Sequence, residues 1–233
     1  MAETILVKVS MNPAEALPSS AATVCGRPLK HSAHICAFFD SREQEYDCLV
    51  PYFAEGLARG EQVVTIRDSC RCGDHVDALR SAGAFAVDDS IASNRLRVVA
   101  SEETYLQEGT FEAERMFTML EKMLDEAPAE GFTRVRTCGE MSWALRGMPG
   151  TDELMRYESE VNRLLARHDC TLMCVYEVKE FSGRAVMDVL ATHPMVLMGS
   201  LIYENPYYVP PEEFLSSVMR RGAVPLAREP ETI

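Results

Sequence analysis

Short apolar segments alternate with longer amphipathic segments along most of the chain. The short segments are rich in Val, Ile, Leu, Phe and Cys and are bounded by turn-forming residues, which is typical of buried strands. Strands are predicted at residues 34–39, 61–66, 96–100, 133–138, 171–176 and 195–202, with a short edge strand at residues 5–9. The segments between them repeat apolar residues at helical spacing. Helices are predicted at residues 42–59, 74–82, 111–127, 152–167, 184–191 and 212–220.

Strands that alternate with helices in this way form a mostly parallel sheet that is covered by helices on both faces. The predicted fold class is therefore α/β, with a three-layer α/β/α domain. Both ends of the chain are weakly patterned. We divide the chain into a flexible N-terminal extension at residues 1–30, one globular domain at residues 31–220 and a C-terminal tail at residues 221–233.

Two helices have a clear start signal in the sequence. Ser41 is a good N-cap for the first helix, and Gln44 three residues later completes a capping box. Ser182, which follows a strand, is interpreted as the cap of a later helix. Pro51 lies inside the first helix and is expected to kink it or to leave one carbonyl group unpaired.

Composition and charge narrow the class of protein. Hydrophobic residues make up 47% of the chain and charged residues 25%, as in ordinary globular proteins. The net charge of −13 disfavours direct binding to nucleic acid or to anionic membranes, because both need a basic face. No apolar run approaches the ~20 residues that span a bilayer, and the N-terminal residues show no export signal. We therefore expect a cytoplasmic protein that binds a small molecule or another protein.

The loop after the first strand lacks the features of a nucleotide site. A P-loop requires Gly-x-x-x-x-Gly-Lys-Ser/Thr there, because backbone amides and the lysine hold the phosphates. Residues 40–45 contain no Gly or Lys and carry three carboxylates, which would repel a triphosphate. Gly-x-Gly-x-x-Gly and the Gly-x-Ser-x-Gly elbow of serine hydrolases are absent as well. No catalytic residue and no cofactor is predicted, and a degenerate nucleotide-binding regulator is kept as an alternative.

The eight cysteines are interpreted as reduced thiols, several of them buried in apolar strands. Cys70, Cys72 and His75 form a metal-like group, since thiolates and imidazole suit zinc. Cys-x-Cys is less typical of such sites than Cys-x-x-Cys, so a polar loop is the favoured interpretation and no metal site is predicted. A thiol- or metal-responsive sensor built on these three residues is kept as an alternative, because the adjacent Arg71 would lower a thiol pKa. Three further histidines are interpreted as structural or surface residues: His34, His168 and His193.

The strand at residues 133–138 leads into Glu140 and Trp143, the only Trp of the chain. In an α/β sheet, ligands bind at the carboxyl ends of the central strands. A carboxylate beside a large apolar ring at that place predicts a small-ligand pocket. The predicted lining residues are Phe39, Asp40, Glu140, Trp143, Tyr176 and Tyr207. The alternatives are that Trp143 fills the core, that Glu140 caps the next helix, and that Tyr207 belongs to a proline-fixed strap on the sheet edge.

Several separated motifs occur in a recognisable order. They are His34-Ile35-Cys36-x-Phe38-Phe39, Phe53-Ala54-x-Gly56-Leu57-x-x-Gly60-Glu61, Phe111-x-x-Glu114-Arg115-Met116, Gly139-Glu140-Met141-Ser142-Trp143-Ala144, Tyr157-Glu158-x-x-Val161-Asn162 and Asn205-Pro206-Tyr207-Tyr208-Val209-Pro210-Pro211-x-x-Phe214. Together they resemble the MEDS domain, a sensory domain family named from methanogen and methylotroph proteins. The resemblance covers roughly residues 31–215.

The resemblance implies a RecA-like or KaiC-like α/β fold that has lost its phosphate-binding loop. It also implies that the protein senses a small organic ligand, hydrocarbon derivatives having been proposed, in a signalling system such as transcription regulation. Such domains usually adjoin an output domain, and few residues follow Phe214. We therefore expect an output or regulatory protein in a separate chain as the partner, and a homodimer is left open.

Overall fold

The computed structural model of the protein describes residues 22–29, 32–221 and 225–228. Strands occupy Thr23–Val24 (β1), Arg27–Pro28 (β2), Ala33–Phe39 (β3), Gln62–Arg67 (β4), Leu96–Ala100 (β5), Val135–Glu140 (β6), Cys170–Glu177 (β7), Met195–Met198 (β8) and Leu201–Glu204 (β9). Helices occupy Arg42–Ala58 (α1), Cys72–Ala82 (α2), Val87–Ala92 (α3), Ala113–Glu126 (α4), Leu154–Leu165 (α5), Gly183–Thr192 (α6) and Pro211–Arg221 (α7). The strand predicted at residues 5–9 lies outside the described residues.

Seven of these strands form one sheet in the order β5-β4-β6-β7-β3-β8-β9. Neighbouring strands are parallel except for β9, which runs antiparallel to β8. Helices α1, α2 and α3 and the β1–β2 hairpin pack on one face, and α4 to α7 pack on the other. The predicted α/β fold class, a three-layer α/β/α arrangement with a mostly parallel sheet, is confirmed.

Two local predictions differ from the structure. The single strand predicted at residues 195–202 is wrong, because β8 and β9 form a hairpin that turns at Gly199. Gly199 has φ +58°, a conformation that glycine adopts without a steric cost. The two arms are both apolar, so the pattern alone did not show the turn. Helix α3 was not predicted, because six residues are too few for an amphipathic repeat.

The start of α1 agrees with its sequence signal. The hydroxyl of Ser41 accepts a hydrogen bond from the Gln44 amide at 3.3 Å, which confirms the N-cap. The Gln44 side chain accepts from the Asp40 amide at 3.0 Å instead of completing the capping box at Ser41. The helix continues through Pro51. The carbonyl that this proline leaves unpaired belongs to Asp47, which is exposed, so water can satisfy it.

Part of the predicted N-terminal extension packs on the domain. Strands β1 and β2 are joined by Cys25 and Gly26, which both have positive φ angles, as a two-residue type I′ hairpin requires. The Thr23 amide donates to both carboxylate oxygens of Glu55 in α1, at 3.0 and 3.1 Å. The hairpin is thereby attached to the first helix, and the predicted division of the chain otherwise stays a prediction.

A short segment of the predicted tail also packs on the domain. Ser182 caps α6, as predicted, since its hydroxyl accepts from the Ala185 amide at 3.1 Å. The Ser182 amide in turn donates to the Leu226 carbonyl at 2.7 Å.

None of the helices in the described residues combines the length and the apolar composition needed to cross a membrane.

A buried ion pair lies near the start of β6. The guanidinium of Arg136 is fully buried and donates to both oxygens of Glu61, at 2.6 and 3.1 Å. It also donates to Glu55 at 2.9 Å and lies over the Tyr52 ring at 4.5 Å. A buried charge is tolerated only when it is paired in this way. The ion pair connects α1, the residue before β4, and β6 on the face opposite to α4.

Candidate functional site

The carboxyl ends of three adjacent strands meet at a small cavity. Phe39 ends β3, Glu140 ends β6, and Tyr176 is the last residue but one of β7. These three predicted residues are brought together because β6, β7 and β3 are neighbours in the sheet. The cavity has a volume of about 20 Å³, which is room for about one water molecule.

Charged groups fill most of this crevice. Glu140 is 8% exposed and is paired with Arg71, while the guanidinium of Arg67 lies 3.8 Å from its other carboxylate oxygen. Arg67 is itself buried and donates to Glu45 at 2.6 Å. The hydroxyl of Ser142 donates to Glu140 at 3.2 Å. The negative charge of Glu140 is thus balanced by arginines of the protein itself. The Glu140 side chain does not cap the 3₁₀ turn that follows.

The other predicted lining residues lie outside this cavity. Asp40 is exposed. Trp143 is 1% exposed and is packed between Tyr105 and Phe111, with ring centroids at 4.7 and 5.0 Å. Tyr207 is 61% exposed in the loop before α7. The structure therefore brings Phe39, Glu140 and Tyr176 together and does not bring the other three to them, and the ligand-binding assignment of the set stays a prediction.

The N-terminus of α1 is occupied by the protein's own side chains. In a P-loop protein the amides at this position bind phosphate. Here the Gln44 amide donates to Ser41 and the Asp40 amide donates to the Gln44 side chain. This arrangement agrees with the missing P-loop motif.

A larger cavity of about 250 Å³ lies between the sheet and α4. Most of its wall is apolar and comes from Val64, Ile66, Val99, Met116, Met119, Leu120, Met123 and Leu172. Exposed charged residues mark its opening to solvent: Arg97, Lys122 and Glu126. The volume corresponds to about eight water molecules or one compact organic molecule. Apolar walls with few polar groups are typical of small-molecule sites.

Tyr105 connects this cavity to the predicted motif. Its ring lines the cavity and stacks on Trp143 at an interplanar angle of 14°. Its hydroxyl lies against Gly139, where a β-carbon would overlap it. The predicted segment from Gly139 to Trp143 therefore does not line the cavity itself. Tyr105 lies between this segment and the cavity.

The group Cys70, Cys72 and His75 is spread over a turn and the start of α2. Cys70 is exposed, and His75 is buried with its Nδ1 bonded to the Tyr46 hydroxyl at 2.7 Å. Cys70, Cys72 and His75 are not close enough to share one ion. Among the described residues, a different group of His, Cys and carboxylate side chains is close enough.

Arg71 lowers the pKa of Cys70, as expected, but its effect is outweighed. A hydrogen bond to Asp68 raises the pKa of Cys70 above its usual value, and burial raises that of Cys72. The guanidinium of Arg71 is paired with Glu140. The two thiols are therefore less reactive than the sequence suggested.

The group that does converge consists of His34, Glu158, Cys174 and His193, all of them buried. His34 Nε2 lies 3.1 Å and His193 Nε2 lies 3.5 Å from the same oxygen of Glu158. Cys174 Sγ lies 3.7 Å from that oxygen, and the Tyr176 hydroxyl donates to the other oxygen at 3.2 Å. Burial lowers the pKa of His193 and raises that of Cys174, each well away from its usual range.

Sequence reasoning missed this group, because His34 and His193 were interpreted as structural. Its members come from three different elements and the loop after α6, and no short motif contains two of them. The available signal was that His34 and Glu158 both belong to the motifs of the family resemblance.

Comparison with known proteins identifies the family. The model of the family described as "MEthanogen/methylotroph, DcmR Sensory domain" (MEDS) matches residues 33–194. The transcriptional repressor DcmR of Methylorubrum extorquens is 27% identical over 172 residues, which cover 73% of this chain and 61% of the repressor. The flagellar accessory protein FlaH of Methanocaldococcus jannaschii has a solved structure that covers 80% of this chain and 85% of its own, with a TM-score of 0.49 and 12% identity.

Proposed function

The chain belongs to the MEDS family of sensory domains, and from this premise we propose that it binds a small organic molecule in the cavity beneath α4. The repressor that it resembles is a regulator of transcription by name. A sensory role in a regulatory system follows from the family. The ligand, its place of binding and the partner that reads the signal are our proposal.

The cavity beneath α4 is the observation that supports this function. Its volume suits a compact apolar molecule, whereas the crevice at the strand ends has room for about one water. Three of its wall residues are methionines on α4, whose flexible and polarisable side chains adapt to ligands of different shape. A ligand of the hydrocarbon-derivative class needs apolar contact more than hydrogen bonds.

Tyr105 would carry the effect of binding toward the strand ends. It lines the cavity, stacks on Trp143 and lies against Gly139, which precedes Glu140 in β6. A ligand that displaces this ring would change the segment that bears Glu140. Such a shift requires that the ligand bind the two arrangements with different affinity.

An exposed apolar edge supports the proposal of a protein partner. Met198, Leu201 and Tyr203 of the β8–β9 hairpin are 52%, 58% and 48% exposed. Among the described residues β9 is the outermost strand on this side of the sheet, with the Ile202 carbonyl accepting from Arg27, and an edge strand can pair with another chain. An output protein or a second copy would both fit this edge. The cytoplasmic location and the lack of direct nucleic-acid binding remain predictions.

Thermal unfolding against a panel of small molecules tests the function. The panel contains chlorinated methanes, short alcohols, small aromatics and, for the nucleotide alternative, ATP with magnesium. A binder at about a hundred times its Kd should stabilise the protein by about 2.7 kcal/mol, and the effect should saturate.

Two variants locate the binding site. Val99→Phe fills the cavity beneath α4 and should abolish the stabilisation, and Glu140→Gln alters the crevice and should leave it intact. The opposite pattern would move the site to the crevice and contradict the proposal. Stabilisation by ATP alone would favour the degenerate nucleotide-binding regulator.

A further inference from the structure

Four buried side chains converge in the layer between the sheet and helices α5 and α6. His34 lies on β3, Cys174 on β7, Glu158 on α5, and His193 between α6 and β8. One potential ligand atom from each of them lies within 4.8 Å of all the others. Their exposed fractions are 2%, 7%, 0% and 0%, so water does not compensate their polar atoms.

The separations between these atoms resemble those of a metal site. Bonds of ~2.1 Å to nitrogen and oxygen and ~2.3 Å to sulfur, in tetrahedral geometry, place ligand atoms about 3.3–3.7 Å apart. His34 Nε2 and His193 Nε2 lie 3.1 and 3.5 Å from Glu158 Oε2. Cys174 Sγ lies 3.6 Å from His34 Nε2 and 3.7 Å from Glu158 Oε2. Three of these four separations fall within the range that one shared ion produces, and the His34–Glu158 separation is slightly shorter.

The hydrogen bonds of the imidazole rings assign their protons. His193 Nδ1 lies 2.8 Å from the Val189 carbonyl, which only accepts, so Nδ1 carries the hydrogen. The amide nitrogen of Asn162 donates to three carbonyls, which leaves its oxygen to accept from His34 Nδ1 at 3.2 Å. Each neutral ring therefore directs the lone pair of Nε2 toward the carboxylate of Glu158.

Two nitrogen lone pairs and a carboxylate oxygen repel one another unless a cation lies between them. His193 Nε2 has no hydrogen-bond partner in the structure although the residue is fully buried. Protonating His34 alone would pair it with Glu158 but would leave the His193 Nε2 lone pair facing the same oxygen. Protonating both rings would place two positive charges 3.9 Å apart, ring to ring, in the interior. A metal ion removes the conflict, because it accepts both lone pairs and neutralises the carboxylate.

We propose that His34, Glu158, Cys174 and His193 bind one divalent transition-metal ion, and that this ion is zinc. Two neutral imidazoles, one thiolate and one carboxylate give a neutral complex with a divalent ion, which suits a buried position. Borderline nitrogen, sulfur and oxygen ligands in tetrahedral array are typical of zinc. Four protein ligands leave no open position, so the ion has a structural or regulatory role and not a catalytic one.

The hydrogen bonds that the four ligand side chains make to their neighbours are of the types found around known metal centres. Metal-bound imidazoles donate their second N–H to a carbonyl or amide oxygen, and ligating carboxylates are themselves hydrogen-bonded. Asn162 and Val189 accept from the two rings, and Tyr176 donates to Glu158. Tyr176 also lines the strand-end crevice, so only this side chain would separate the Glu158 ligand from the crevice. This proposal does not depend on where the organic ligand binds.

Metal analysis of the full chain, purified under reducing conditions without chelators, is the first test. One zinc ion per chain is expected. After removal of the metal, titration with Co²⁺ should give the visible bands of a tetrahedral ion and a thiolate-to-cobalt charge-transfer band, saturating at one equivalent. Absence of a stoichiometric metal together with no cobalt spectrum would overturn the proposal.

Matched cysteine variants identify the sulfur ligand. Cys174→Ser should lose the charge-transfer band, and Cys170→Ser should keep it, because Cys170 is a buried thiol on the same strand but outside the group. Loss of the band in Cys170→Ser with retention in Cys174→Ser would overturn the assignment. Tyr176→Phe removes only an outer contact and should weaken Co²⁺ binding by about 10–100-fold while keeping the spectrum.

X-ray absorption of the zinc-bound natural protein gives the same answer without any variant. One sulfur and three nitrogen or oxygen scatterers are expected at about 2.3 and 2.0–2.1 Å. Two or more sulfur scatterers would place the ion at another cysteine pair, such as Cys70 and Cys72, and would contradict the proposed site.

Discussion

A β-carbon at Gly56 would lie 2.9 Å from Nε of Arg136. Gly56 is in the last turn of α1, and glycine is a weaker helix former than alanine. It allows the helix to approach the buried guanidinium, whose carboxylate partner Glu61 follows the helix. Gly56 and Glu61 belong to the same family motif, and the structure gives the physical reason for both.

We therefore expect Gly56→Ala to destabilise the protein by about 1–3 kcal/mol, because Arg136 is buried and held in place by Glu61 and Glu55. Gly73→Ala is the matched control. It also lies in a helix, and a β-carbon there would meet nothing within 4 Å. That variant should leave stability unchanged or raise it by up to about 1 kcal/mol. Urea denaturation measures both, and the same sign for the two variants would contradict this explanation.

The contact between Gly139 and Tyr105 gives a second prediction. Gly139→Ala should destabilise the protein by about 1–3 kcal/mol and change the fluorescence of Trp143, because the new methyl group displaces the Tyr105 hydroxyl. In a Tyr105→Phe background the nearest ring carbon would lie 3.5 Å away, which is an ordinary contact. The cost of Gly139→Ala should therefore fall by about 1 kcal/mol in the double variant. Additive effects would show that the hydroxyl is not the obstacle.

The buried imidazole of His75 predicts a loss of stability in acid. Burial, together with the nearby charges of Arg67 and Arg42, lowers its pKa to about 2. Between pH 6.5 and pH 2 the unfolded chain binds a proton at His75 that the folded chain does not, so stability falls as the pH falls below 6.5. At pH 5 the loss from this group is about 2 kcal/mol.

His75→Phe removes the titrating group. Between pH 7 and pH 5 the free energy of unfolding should fall in both proteins. The fall should be about 2 kcal/mol smaller in the variant than in the natural protein. Denaturant unfolding at several pH values measures this difference. An identical pH dependence for the two proteins would mean that His75 becomes protonated in the folded state.

The pair Cys25 and Cys48 predicts where thiol reagents act. Their sulfur atoms lie 3.0 Å apart, and the hydrogen bond from Cys48 lowers the pKa of Cys25. The exposed Cys70 has a raised pKa. At pH 7 we expect iodoacetamide to modify Cys25 before Cys70, as judged by peptide mass spectrometry, and Cys48→Ala to slow the reaction at Cys25. Faster modification of Cys70 with no effect of Cys48→Ala would refute the role of this hydrogen bond.

The sequence predicts the layers of this fold well, because its strands are short apolar runs between amphipathic helices. The hairpin at Gly199 was missed, since two apolar arms on either side of one glycine have the pattern of a single strand. At the strand ends, Phe39, Glu140 and Tyr176 were placed together correctly because parallel neighbours end at the same edge.

The orientation of side chains beyond the strands could not be predicted. Trp143 follows β6 by three residues, and which face of a 3₁₀ turn it occupies depends on packing against Tyr105 and Phe111. Predicting that the four proposed metal ligands converge would have required knowledge of the strand order. His34 and Cys174 become neighbours only because β3 pairs with β7 in a register that places Cys36 opposite Cys174.

Methyl NMR of the protein labelled with ¹³C at its 13 methionines tests the central claim most directly. The panel compound that stabilises the protein most is titrated into the sample. We predict saturable shifts at Met116, Met119 and Met123, which line the cavity beneath α4, and no shifts at the exposed Met187 and Met198. Unchanged signals from the three cavity methionines at saturating ligand would contradict the proposed site.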